Sequence, residues 1–246
     1  RERTVAQLKE LVRAYGEYKG TTFSKEKFLQ AFHPKKRAQD PHIAVLGARG
    51  DEKMSYVVIP AYCPDRTLVS LVEQMWETGC RMIVVDDGSG EEYQSIFDEI
   101  SDVSVILRHP ENSGKGAAIK SALEYIEQKH SHRDVVGIMD ADGQHLPEDM
   151  LKLLEAAQDE SHTLVLGVRS VGHKMPPRSR IGNELTRSVF HLISGVRVSD
   201  TQTGLRAFGT EMIPEFLVIE GERYEYEMNV PITMAKKKVH IREIPI

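Results

Sequence analysis

The stretch "DVVGIMDADGQHLPEDMLKLLEAAQ", Asp134 to Gln158, decides how the rest of the chain is read. Its first part is a short continuous apolar run, the pattern of a strand buried on both faces. Its last part carries apolar residues at helical spacing, opened by Pro147, which suits a first helical turn. Between the two lie Asp140 and Asp142 around a small alanine, followed by Gly143, Gln144 and His145. A strand, an acidic turn and a helix in that order form one half of an α/β unit.

The same rhythm extends outward on both sides. "SYVVIP" reads as a strand, and "DRTLVSLVEQMWETG" as a helix stopped at Gly79. "RMIVVDDGSG" is a buried-strand run ending in acids and glycines, and "EEYQSIFDEI" is helical. "VSVILRH" is a strand, "GKGAAIKSALEYIEQKH" a long helix, and "TLVLGVRS" a further strand. After Ser170 the alternation weakens: "PRSRIGNELTRSVFHLISG" predicts a helix, "DTQTGLRAFG" a loop entering a strand, "GERYEYEMNVPITMAKKK" a loop and helix, and "VHIREIPI" a strand. Strands that are apolar throughout and alternate with helices predict an α/β fold, a Rossmann-like and mostly parallel sheet covered by helices on both faces. Ligands of such sheets bind beyond the carboxyl ends of the strands. Three polar clusters fall at those ends: Pro60-Ala61-Tyr62, Asp86-Asp87-Gly88-Ser89 and Asp140-Ala141-Asp142.

The N-terminal part is different. Val5, Leu8, Leu11 and Val12 mark one helix face, and "FSKEKFLQAF" a second helix with Ser24 as N-cap. "HPKKRAQDPH" then reads as a basic, proline-containing linker. The expected division is a helical N-terminal extension and linker over 1–50 and an α/β domain over 54–246. The abrupt stop after "VHIREIPI" leads us to expect further chain beyond Ile246.

Composition narrows the class. The 246 residues are 40% hydrophobic and 28% charged, ordinary for a globular protein. A net charge of −5 and a pI near 6.1 provide no global basic field for nucleic acid, which is not expected as a partner. Two cysteines, Cys63 and Cys80, exclude a disulfide framework and read as core or near-core residues of a reducing compartment. No apolar run is long enough to cross a bilayer and no signal-peptide core precedes the domain, so the chain as given is expected in the cytoplasm.

Each cluster carries chemistry as well as an ordinary structural alternative. Asp140 and Asp142, spaced i and i+2 where a strand ends, can share Mg²⁺ or Mn²⁺ with a bound diphosphate; alone, they read first as turn residues. An acid in "VVDDGSGEE" can accept from a nucleobase imide N–H, while Ser89 can instead cap the following helix. "ENSGKGAAIKSA" lacks P-loop spacing, but it can present Lys115 and backbone N–H groups to an anion at a helix start. Arg169, Arg178, Arg180 and Arg206 can pair with phosphates. Asp200, in the polar loop "SDTQTGLRAF", is a candidate base or acceptor-positioning group.

Taken in order, "VVIPAY", "VVDDGS", "ENSGKGAA", "DVVGIMDADGQH", "GVRS", "DTQTGLRAF" and "GERYEYEMNV" resemble the family 2 glycosyltransferases. The similarity is to the polyprenyl-phosphate branch, which includes dolichol-phosphate mannose synthases and bactoprenol glucosyltransferases. It runs from about Tyr56 to Ile246. The resemblance implies a GT-A fold, a UDP- or GDP-sugar donor, a divalent cation (Mg²⁺ or Mn²⁺) and a polyprenyl phosphate acceptor, undecaprenyl or dolichyl. It further implies a protein at the cytoplasmic face of a membrane, attached peripherally or through a C-terminal segment. By resemblance Pro60, Ala61, Tyr62, Asp86 and Asp87 surround the nucleoside. Asp140 faces donor and metal, with Asp142 and Gln144 completing the metal set. Lys115 joins the donor contacts, Arg169 and Arg180 contact phosphates, and Asp200 is the acceptor-side acid, with Arg206 close by on the acceptor or phosphate side. One departure stands out: the family's Pro-Ala-Tyr-Asn-Glu is here Pro-Ala-Tyr-Cys63-Pro64-Asp65, where Asp65 can replace the acid.

Three alternatives remain at this point: transfer to a saccharide hydroxyl in surface-polysaccharide synthesis, a sugar-phosphate nucleotidyltransferase, and a non-catalytic nucleotide-sugar-binding module. The nucleotidyltransferase requires a glycine-rich loop after the first strand, and "VVIPAYCPDR" has no glycine there.

Overall fold

The structure is a computed structural model that describes residues 53–128, 134–168 and 203–246. The expected N-terminal helices, the expected helix within 177–195, and Arg169, Arg178, Arg180 and Asp200 lie outside the described residues. The elements run β1 (Ser55–Ala61), α1 (Thr67–Glu77), β2 (Arg81–Asp86), a 3₁₀ turn (Glu91–Tyr93), α2 (Gln94–Ile100), β3 (Ser104–Arg108), α3 (Lys115–Glu127) and β4 (Val135–Ile138). They continue with α4 (Pro147–Asp159), β5 (Thr163–Val168), β6 (Arg206–Gly209), a second 3₁₀ turn (Thr210–Met212), α5 (Ile213–Leu217), α6 (Glu225–Lys236) and β7 (His240–Pro245).

Local sequence explains most of these boundaries. In α1, Leu68, Val69, Leu71, Val72 and Met75 form one buried stripe, and the chain leaves the helix through Gly79 at φ 87°. Pro147 opens α4, where its missing N–H costs no helical bond, and Glu148 and Asp149 favour the positive end of the helix dipole.

The strands form one seven-stranded sheet in the order β3-β2-β1-β4-β6-β5-β7. β1 pairs in parallel with β2 and β4, β2 with β3, and β5 with β7. Among the described strands only β6 is reversed, antiparallel to β4 and to β5. Alternate strand residues face opposite sides. Tyr56 and Val58 pack with Ile119, Leu123 and Ile126 of α3 and with α5 and α6. Val57 and Ile59 pack with α1, α2 and α4 on the other face. Both faces of the sheet are therefore buried, which is why its strands read as unbroken apolar runs. No helix among the described residues is long and apolar enough to cross a membrane.

The reversed strand has a functional consequence. Because Arg206 pairs with Ile138, the residues leading into β6 lie at the carboxyl end of β4, not at the far side of the sheet. Thr203, Gly204 and Leu205, which lead into β6, therefore join the rim already formed by the ends of β1, β2 and β4.

Candidate active site

The register of the sheet sets the levels of the site. Val58 pairs with Ile138, so the chain that continues past β4 to Asp140 emerges beside the Pro60–Tyr62 end of β1. Ala61 pairs with Asp86, placing the two consecutive acids of β2 on the same rim. Ala61 is buried, whereas Tyr62 is 56% exposed and available to a ligand.

Asp86 and Asp87 are committed to the protein itself. One oxygen of Asp86 accepts the Ser89 N–H at 2.9 Å and the other faces Arg108 at 3.4 Å. Asp87 is 3% exposed. It accepts the N–H groups of Ser113 at 2.9 Å and Gly114 at 2.8 Å, and its Oδ1 lies 2.7 Å from His109 Nδ1. Three of its roughly four acceptor positions are thus filled. Its visible work is to draw the 109–114 loop onto the end of β2 and fix the start of α3. His109 extends that chain through Nε2, 2.9 Å from the Ser121 hydroxyl.

Lys115 follows Gly114, whose φ of 104° allows the sharp entry into α3. A side chain at Gly114 or Gly116 would collide with Glu222, Arg223 or Tyr226, so the helix start is seated against the segment that opens α6. Glu222 O also accepts the Ala117 N–H at 2.9 Å. This seat holds the Lys115 ammonium 2.6 Å from Asp140 Oδ1 and 2.7 Å from Glu227 Oε1. Burial alone would depress the ammonium's pKa, but the attraction of Asp140 and Glu227 outweighs it and raises the value above that of an ordinary lysine. The lysine is held charged.

Asp140 has a further neighbour. A Cβ built on Gly204 would lie 2.5 Å from Asp140 Oδ2, so only glycine lets the loop before β6 close over this carboxylate. Asp142 lies in the turn beyond and accepts the Gln144 N–H at 3.0 Å, which leaves its second oxygen for a ligand. Asp142 and Gln144 are both exposed. Among the described residues no three His, Cys, Asp or Glu side chains converge to hold a metal. Two carboxylates on a turn beside an ammonium suit a hard cation that arrives with phosphate and retains water, rather than an all-protein cage.

Three expectations need correction. Arg206, expected near a phosphate, is 2% exposed. Its guanidinium donates to the carbonyls of Thr203 at 3.0 and 3.1 Å and of Glu227 at 2.8 Å. It ties the loop before β6 to α6, since a buried guanidinium must spend its donors on fixed acceptors. Ser89 does not cap the next helix; its hydroxyl accepts the Cys63 N–H at 2.9 Å. Cys63 is exposed, in a left-handed turn at φ 49°, whereas Cys80 is buried as expected.

The family model described as Glycosyl transferase family 2 matches residues 56–212, more than half of the chain and nearly all of the rim. The chain is a family 2 glycosyltransferase. The transferase is 28% identical over 216 residues to the UDP-N-acetylglucosamine–dolichyl-phosphate N-acetylglucosaminyltransferase of Methanococcus voltae, an alignment covering 79% of this chain and 85% of that protein. It is 25% identical to the polyprenol monophosphomannose synthase of Mycolicibacterium smegmatis, covering 77% of this chain and 75% of the relative. Among solved structures, a Mycobacterium tuberculosis glucosyl-3-phosphoglycerate synthase in complex with Mn²⁺, uridine diphosphate and phosphoglyceric acid aligns with a TM-score of 0.59 at 16% identity. That alignment covers 83% of this chain and 71% of that one. The shared architecture is the GT-A fold, an α/β sheet of mostly parallel strands flanked by helices. The expected family, enzyme class and fold thus hold for the transferase.

Glu227 is the site residue that sequence reasoning missed. It sits in the first turn of α6 with Glu225, where acids read as ordinary partners of a helix dipole. Only the packing of α6 against α3 turns Glu227 toward Lys115.

Proposed function

We propose that this transferase moves a sugar from a UDP- or GDP-sugar to a polyprenyl phosphate, undecaprenyl or dolichyl, with inversion at C1 and with Mg²⁺ or Mn²⁺ bound. The observation that carries the reading is the charged cluster on the rim. Asp140 and Asp142 lie in the turn where β4 ends, with the ammonium of Lys115 2.6 Å from Asp140. Support for the lipid phosphate acceptor comes from the relatives, two of which are named for transfer to dolichyl phosphate or for polyprenol monophosphomannose synthesis.

Asp140 and Asp142 hold the cation, with the Gln144 amide beside them. The bound ion supplies Lewis-acid stabilisation of the diphosphate leaving group. Lys115 faces the same growing negative charge, as do Arg169 and Arg180. Pro60, Ala61 and Tyr62 receive the nucleoside. Asp86 and Asp87 act beneath them by fixing the loops on either side. The acceptor phosphate oxygen attacks C1 as the bond from C1 to the diphosphate breaks, and the bonding electrons leave with the diphosphate. A phosphate monoester has a second pKa near ~6, so the nucleophile is already ionised at neutral pH and needs no strong base. Asp200 then orients the acceptor rather than removing a proton. The enzyme works at the cytoplasmic face of a membrane, where its lipid acceptor resides.

The test is a panel of UDP- and GDP-sugars with Mn²⁺, purified protein and a polyprenyl phosphate. One donor should yield a glycosyl phospholipid and free nucleoside diphosphate. Transfer only to saccharide hydroxyls, or no transfer from any donor, overturns the proposal.

A further inference from the structure

We infer that Lys115 is the resident cation of the metal site, and that Glu227 is the residue that receives it when a divalent ion binds. The inference rests on the metal-dependent reading above and assigns Glu227 a role in it as a positioning residue.

The geometry is specific. One ammonium lies between two carboxylates at 2.6 and 2.7 Å, and the three side chains are 17%, 27% and 13% exposed for Lys115, Asp140 and Glu227. Two carboxylates against one ammonium leave the trio one negative charge in excess, which a divalent cation would more than neutralise. A metal on Asp140 would place a double positive charge within a few ångströms of the Lys115 ammonium, and repulsion in a partly dry site is strong. The lysine must then release Asp140. Its flexible four-carbon stem permits a small swing. Glu227 is already in contact, on the side of α6, so the ammonium keeps a full ion pair after Asp140 is lost.

The backbone is built to keep this option available. Gly114 and Gly116 seat the α3 start directly on Glu222 and Tyr226, and the Ala117 N–H bonds to Glu222 O at 2.9 Å. Arg206 pins the Glu227 carbonyl from behind at 2.8 Å. Lys115 and Glu227 are therefore held at fixed separation by their main chains, while Asp140 stands on the turn beyond β4. Without Glu227, releasing Asp140 would strand a buried ammonium, and the ion would have to bind against that cost.

The experiment is a double-mutant cycle on binding of Mn²⁺ alone, read from the electron paramagnetic resonance signal of the free ion. Glu227→Gln should weaken Mn²⁺ binding about tenfold, yet less than about twofold when Lys115 is already methionine. Lys115→Met alone should tighten Mn²⁺ binding several-fold, roughly the scale of one removed like charge nearby. Equal weakening by Glu227→Gln in both backgrounds would mean that Glu227 contributes only its charge, and the handover would be wrong. Weaker Mn²⁺ binding in Lys115→Met would also overturn it. The two levels separate cleanly. If the wild-type protein transfers sugar and binds Mn²⁺ but the cycle shows no coupling, this inference falls and the function stands. If wild-type protein binds no Mn²⁺, the metal-dependent reading falls and takes the handover with it.

Discussion

Gly204→Ala isolates the placement of Asp140 from the stability of the fold. Gly204 does not occupy the left-handed region, so alanine is compatible with its backbone. The new Cβ would lie 2.5 Å from Asp140 Oδ2 and 2.9 Å from both Cγ and Oδ1. Turning the carboxylate about its own axis cannot relieve all three contacts, so the whole group must retreat. Reaching an ordinary contact near 3.4 Å requires a shift of about 0.9 Å at Oδ2. That movement disturbs the 2.6 Å pair with Lys115 and shifts the first acid of the turn away from the position proposed for a metal ligand. A misplacement of about 1 Å in a catalytic constellation costs on the order of 100-fold in rate. Stability should change little, because the displaced neighbour is a half-buried side-chain end rather than close-packed core. The expected cost is below about 1 kcal/mol, under the range for overpacked interiors. The assay pairs kcat/KM for sugar transfer with a thermal melt. Gly137→Ala is the control, since its Cβ would strike Met150 and Leu154 between β4 and α4 and should lower Tm instead. Normal turnover in folded Gly204→Ala protein would refute the placement of Asp140 in the chemistry.

Two further outcomes follow from the same contacts. Arg206→Met removes the buried bridge from Thr203 and Glu227 and should cost about 2–4 kcal/mol in denaturant unfolding, because two carbonyls lose a charged donor. A variant with unchanged stability but a raised donor KM would return Arg206 to the ligand. Glu225 accepts hydrogen bonds from its own backbone N–H and those of Arg223 and Glu222, which hold its carboxyl below the ordinary 4.5. A depressed folded value means that its support of the α6 start is present above about pH 4.5 and is lost as pH falls through the lowered pKa. An NMR titration of the Glu225 side chain at or above 4.5 would contradict that cap.

The positions of the rim residues were legible wherever they depend on local order. Apolar runs of strand length, Pro147 and Gly79 at helix boundaries, and acids placed where runs end are properties of neighbouring residues, and they locate Asp86, Asp140 and Asp142 without a fold. Arg206 was misread because an arginine in a polar loop looks the same in sequence whether it faces a phosphate or a buried carbonyl. Cys63 was misread because an apolar flank does not reveal a left-handed turn.

What the sequence by itself determined is the α/β class, the carboxyl-end rim and the family to which its motifs belong, since each rests on periodicity and short-range spacing. The tertiary structure alone decided that β6 runs backwards, and so brings Gly204 onto Asp140. It alone decided that Lys115 stands between Asp140 and Glu227, residues from three elements far apart in the chain. Pairing direction and helix packing are set by how buried faces fit together, and no local pattern records that fit.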